Sequence, residues 1–233
     1  MSIQFCIFLF MAKLFENIVD NLQTKEQKSF KDNEVVVGSG RKDKNSYYII
    51  DGYVKVYDLN ADGNIKTIAI LKKGDMFPLV WGFDHPPETV YYYKAMGPLE
   101  TYSVETFELK NELSSNVDVA REAHIAFVYL AWDFMERIKC LQMPYTQEKV
   151  LRLLPYLAAK LGKKIDASTY ELVYNITQEE IAQLIGATRE SVSAHLAKLE
   201  SRSIINRSRN RLLINMDKVP EEYIHELWFS KAE

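Results

Sequence analysis

Cysteine is scarce in this 233-residue chain: it has two, Cys6 and Cys140. Two distant thiols build neither a disulfide framework nor a four-cysteine metal or iron–sulfur site. Histidine is nearly as rare. His85, His124, His195 and His225 are isolated in the sequence, which leaves no imidazole cluster for a cupin-type metal centre. Neither a glycine-rich phosphate loop nor a nucleophile–base set appears, so an enzyme is not expected. Long hydrophobic runs are missing too. The stretch "IQFCIFLFMA" at residues 3–12 falls far short of the roughly 20 residues that span a bilayer. It also lacks the basic segment that precedes a secretory signal core. Met11 offers a second natural beginning, "MAKLFENIV", so residues 1–10 are read either as part of the chain or as an over-long start. The expectation is a cytoplasmic protein without membrane contact.

What is present is an ordinary globular balance, 47% hydrophobic and 26% charged. The net charge of -3 conceals an asymmetry. Residues 1–142 carry 16 Lys+Arg against 20 Asp+Glu, residues 143–215 carry 11 against 7, and the tail carries 2 against 5. A positive block inside an acidic chain suggests a local polyanion contact.

Residues 14–30 read as one or two short amphipathic helices, with Leu14, Phe15, Ile18, Val19 and Leu22 at helical spacing. From Val35 to Val104, β-rich runs such as "YYIIDGYVKVYDL" and "IKTIAILKKGD" alternate with Gly, Asp, Asn and Pro turns, as in an antiparallel sandwich or barrel. Then the period becomes helical. Residues 116–143 run unbroken to Pro144, with Ala123, Phe127, Leu130, Phe134, Ile138 and Leu141 in a near-heptad row. That row predicts a two-fold helix–helix contact through Phe127, Leu130, Phe134, Ile138 and Leu141; packing on the helix's own barrel is the alternative. Another helix, "YTQEKVLRLLPYLAAKLG", is expected to break or kink at Pro155. A polar loop, "KKIDASTYELVYN", follows.

The segment "NITQEEIAQLIGATRESVSAHLAKLE" at residues 175–200 is the most informative. Thr177 and Glu180 make a capping box, Ile181, Leu184 and Ile185 form a buried stripe, and Gly186 ends the first helix. Thr188 caps a second, whose inner face is Val192, Leu196 and Leu199. Two helices joined by a tight glycine turn make a helix-turn-helix, and the start of the second enters the DNA major groove. Arg189 can donate to guanine O6 and N7, and Glu190 can accept from a cytosine amino group. Thr177 and Thr188, with the backbone N–H groups they cap, suit phosphates. Downstream, "SIINRSRNRLLIN" predicts a basic hairpin offering Arg207, Arg209 and Arg211 to the neighbouring backbone. A structural helical hairpin with surface charges is the bland alternative for "RE" alone.

The run "ITQEEIAQLIGATRESVSAHLAKLE" resembles the helix-turn-helix of the Crp/Fnr family of bacterial transcription regulators, and "SIINRSRNRLLI" resembles its wing. The resemblance implies an α+β fold in three parts. These are N-terminal helices and a cyclic-nucleotide-binding-like β jelly roll over 1–115, a dimerisation helix over 116–143 and a winged helix-turn-helix over 144–233. It implies a homodimer on double-stranded DNA at a near-palindromic promoter site, with RNA polymerase as a further partner if the protein activates. Arg189 and Glu190 fall on base-reading positions, and Ser193 matches a base-reading serine of the Fnr branch. Ala194 departs from the arginine common at its position. The family's hinge would lie around Met143–Thr146.

Effector expectations follow from what departs from the pattern. Pro78 and Leu79 stand where cAMP-binding members carry glycine and glutamate, and Thr89 and Val90 where they carry arginine and serine. No cofactor is expected: cAMP lacks its cradle, an iron–sulfur cluster lacks its cysteines, and His85 beside two prolines is a poor haem ligand. Trp81, Phe83, Tyr91 and Tyr93 could face Phe127, Tyr129 and Trp132 around a small apolar or aromatic effector; a dry aromatic core filling the absent nucleotide pocket is the alternative. The competing function is a β-roll sensor or interaction module whose helix-turn-helix is degenerate.

Overall fold

The computed structural model describes residues 19, 20, 22, 25–41, 44–78, 88–208 and 211–224. They fall into two compact units. One takes residues up to Gly63 with Ile68–Asp133; the other takes Asn64–Thr67 with Phe134 onward.

The first unit is built on two long antiparallel strands. Strand β3 (Asn45–Leu59) pairs with β6 (Tyr92–Glu105) from Asn45↔Glu105 to Tyr57↔Tyr92. Around them lie β1 (Glu26–Phe30), β2 (Val35–Val37), β4 (Ile65–Lys72, of which the residues from Ile68 on fall in this unit) and β5 (Met76–Phe77), giving the path β1-β6-β3-β4 with β2 on β6 and β5 on β3. The ladder slips on both sides of Asp51. Gly52 absorbs the bend at φ 95°, where an added Cβ would lie 2.4 Å from the Pro98 carbonyl oxygen. Only glycine fits that approach.

Both faces of β3 are buried, because successive side chains point to opposite sides. Tyr47, Ile49, Val54 and Val56 join one cluster with Phe77, Tyr93 and Leu99. In it Tyr47 stacks on Phe77 at 5.5 Å and Phe77 on Tyr93 at 5.2 Å between centroids. Tyr48 enters a second cluster with Val19, Leu22, Val104 and Leu109. Helix α1 (Thr106–Ser115) supplies Leu109, and α2 (Val117–Gln142) supplies Val119, Ala123 and Ala126. Asn116 starts α2 by accepting from the Asp118 and Val119 N–H groups.

The second unit holds α3 (Thr146–Leu161), α4 (Gln178–Ile185), α5 (Arg189–Ser201) and the sheet β7-β8-β10-β9. Its strands are Gly162–Lys164, Thr169–Leu172, Ile205–Ser208 and Arg211–Asn215, with β9 and β10 as the last two.

Several expectations are corrected. Residues 26–30 form an edge strand rather than a helix, paired from Glu26↔Ser103 to Phe30↔Leu99; an open sheet edge outweighs the weak helical preference of "EQKSF". Leu14, Phe15 and Ile18 lie outside the described residues. Helix α3 runs through Pro155 without a break. Its neighbours Leu153, Leu154, Tyr156 and Leu157 are buried, and that packing offsets the lost backbone bond. The supposed polar loop contains β7 and β8, recruited by pairing with β10. Ala123 faces the roll's core and so leaves the heptad row.

Candidate nucleic-acid interface

The reading element is set by local chemistry. The Thr177 hydroxyl accepts from the Glu180 N–H at 3.1 Å, and the Glu180 carboxylate accepts from the Thr177 N–H at 2.9 Å. This closed capping box starts α4. Gly186 ends it in the left-handed region, φ 63° and ψ 42°, with its N–H on the Ala182 carbonyl. That conformation turns the chain sharply at no Cβ cost. The Thr188 hydroxyl then accepts from the Ser191 N–H and starts α5. Ile181, Leu184, Ile185, Val192, Leu196 and Leu199 are all buried, so the two helices share one apolar seam.

With that face committed, the opposite one is fixed by the helical period. Arg189 and Glu190 are exposed in the first turn of α5, and Ser193, half-buried, lies one turn beyond Arg189. Ala194 is exposed. His195 is half-buried with Nδ1 enclosed and lacking a hydrogen-bond partner, as a seam position implies.

Two of the expected phosphate-facing residues, Thr177 and Arg207, have partners of their own. Thr177 spends its hydroxyl proton on Glu180 at 3.0 Å, leaving the Gln178 and Glu179 N–H groups as the free donors of that turn. Arg207 pairs at the surface with Glu200: Nη2 lies 2.6 Å and Nε 3.1 Å from one carboxylate oxygen, while its backbone N–H reaches the other at 3.1 Å. This fork holds the Glu200 carboxyl below its ordinary range. Arg207 therefore ties the wing to the end of α5. Arg211 touches Glu171 at 3.2 Å but keeps a side chain 69% exposed. Thr188 is exposed, and Arg209 lies outside the described residues. Sequence reasoning had no signal for Glu171 and Glu200, because both pairings span separate elements.

The described members of the expected aromatic pocket have separate surroundings. Tyr93 is buried against Phe77, and burial pushes its hydroxyl up to about 12. Tyr91 is exposed; Phe127 is 50% and Trp132 44% exposed, with Trp132 edge-on to half-buried Tyr129. The small Ala123 and Ala126 take the roll-facing side of α2, so the larger rings turn away. Trp81 and Phe83 lie outside the described residues. Among the described residues no three His, Cys, Asp or Glu side chains group to hold a metal, and no helix is long and apolar enough to cross a membrane.

Comparison with known proteins agrees with this geometry. The family model for the Crp-like helix-turn-helix domain matches residues 148–218, and that for the cyclic nucleotide-binding domain matches residues 27–116. A CRP-like cAMP-activated global transcriptional regulator of Mycobacterium tuberculosis is 25% identical over 77% of this chain and 80% of its own. FixK2 from Bradyrhizobium japonicum shares the fold at a TM-score of 0.73 and 19% identity, covering 87% of this chain and 98% of that one. TTHB099, a CRP-family transcriptional regulator from Thermus thermophilus, does so at 0.70 and 22%, covering 84% and 96%. With a cyclic-nucleotide-binding-type roll followed by a capped helix-turn-helix and wing, the chain belongs to the Crp/Fnr family and is a DNA-binding transcription regulator, not an enzyme.

Proposed function

We propose that two copies pair along α2 and read a near-palindromic promoter site, each through Arg189, Glu190 and Ser193. The observation that carries this reading is the first turn of α5, where a cation and an anion stand exposed over a fully packed seam. Arg189 suits a guanine edge and Glu190 a cytosine amino group. Backbone phosphates meet Thr188, the free N–H groups at the start of α4, Arg209 and Arg211.

Pairing is supported by Phe127, Phe134, Ile138 and Leu141, exposed along one side of α2 beside half-buried Leu130. Burying such a side chain contributes roughly 1.5–3 kcal/mol. These side chains are already about half-buried, so two copies of the row, fully covered, contribute on the order of 10 kcal/mol, comparable with an association cost on the order of 4–15 kcal/mol.

The effector of this chain is a ligand other than a cyclic nucleotide. The M. tuberculosis relative is named as cAMP-activated, but here Thr89 closes a small turn, its hydroxyl bonded to the Tyr91 carbonyl and N–H. Val90 is exposed, and neither residue offers a phosphate a cation. In this reading the effector binds the roll unit, and the protein works in the cytoplasm with RNA polymerase as partner where it activates.

Selection of bound duplexes from a random pool tests the reading. The expected outcome is two inverted half-sites with centres one helical turn apart, about 34 Å; a single unrepeated motif or no enrichment overturns it.

A further inference from the structure

The last two and a half turns of α2 belong to the winged unit. Arg137 lies there, only 4% exposed. Its Nη2 donates to the Leu184 carbonyl at 2.5 Å, in the final turn of α4, and its guanidinium carbon sits 5.1 Å from the centroid of the Tyr156 ring on α3. Nε and Nη1 are enclosed without hydrogen-bond partners. Beside it, Glu136 holds Arg152 at 2.8 Å and also pairs with Lys139. The Cys140 thiol donates to the Lys149 carbonyl at 3.4 Å, and Lys149 Nζ reaches the Ile185 carbonyl at 3.5 Å.

Burying a guanidinium with two nitrogens unpaired is costly, and an apolar side chain of similar length would fill the space without that cost. Arginine adds a directional, charge-assisted bond to the negative end of α4. Such a bond sets the rotation of α4 about α2, which apolar packing alone leaves looser. The connection at Met143–Tyr145 is also bridged, by Cys140 and by Arg152, so it does not swing freely.

We infer that Arg137 is a positioning residue for DNA recognition: through the Leu184 carbonyl it clamps the α4–α5 reading pair to the end of α2, fixing the separation and relative rotation of the two reading helices. This rests on the paired-site reading above.

The test uses the full-length dimer, a selected duplex, and the same duplex with one base pair inserted between half-sites. At about 10–10.5 base pairs per turn, that insertion rotates one half-site roughly 35° against the other. Wild type is expected to lose at least tenfold affinity on insertion. Arg137→Met should stay dimeric by sedimentation, unfold cooperatively, bind a random duplex as wild type does, and lose most of the spacing penalty. Arg137→Lys, which keeps one donor, should fall between. An Arg137→Met protein that keeps the wild-type penalty overturns the clamp alone. One that unfolds, or weakens equally on every duplex, makes Arg137 a plain stabiliser and overturns it too. A wild type indifferent to the insertion removes the paired-site reading and the clamp together.

Discussion

Arg207 and Glu200 join the wing to the last turn of the reading helix through three hydrogen bonds on one carboxylate, the shortest of them 2.6 Å. The pair fixes where the wing lies beside α5, and it gives the second unit an acid-sensitive seam. Arg207 holds the Glu200 carboxyl below its ordinary value of 4.5. A depressed carboxylate contributes stability that is present above its unfolded pKa and is lost as pH falls through the folded one. The melting temperature of the wild type should therefore drop more steeply below about pH 4.5 than that of Glu200→Gln, with the two curves closing at lower pH. Parallel curves across that range would mean that the pair is not linked to folding.

Arg189→Ala should remove discrimination at one guanine per half-site, a loss of about 1–3 kcal/mol for that base. Affinity for unrelated duplex should change little, because phosphate contacts supply it. Competition binding with single-base operator variants measures this, and a uniform loss across sequences would count against base reading.

Arg211 is largely exposed and its pairing with Glu171 is a single surface contact, so it remains able to meet a phosphate. Arg211→Ala should weaken all duplexes alike and reduce the slope of log K against log salt by about one unit. An unchanged slope would leave Arg211 outside the interface.

Ile138 is 53% exposed on the single chain, so Ile138→Asp should fold normally and yet fail to pair. Sedimentation should report monomers with an unaltered circular dichroism spectrum. A persistent dimer would put the contact on another face of α2.

Much of the winged unit was legible because its signals are local. The capping box of Thr177 and Glu180, the helix end at Gly186 and the cap at Thr188 depend on neighbours within four residues, and the structure reproduces each. The long helix was equally readable, ending beside Pro144 as its periodicity implies. The strands at 26–30, 162–164 and 169–172 were not, since each exists by pairing with a distant edge.

Sequence alone determined which elements form where hydrogen bonds and apolar periods close within a few residues, and thereby the helix-turn-helix and the side chains at its tip. Tertiary structure alone decided where the long side chains spend their charge and their rings. Arg207 turned to Glu200, Arg137 to the Leu184 carbonyl, Tyr93 into a stack and Phe127 toward solvent. The physical reason is that each of these partners is brought within reach by packing between separate elements, which no spacing along the chain encodes.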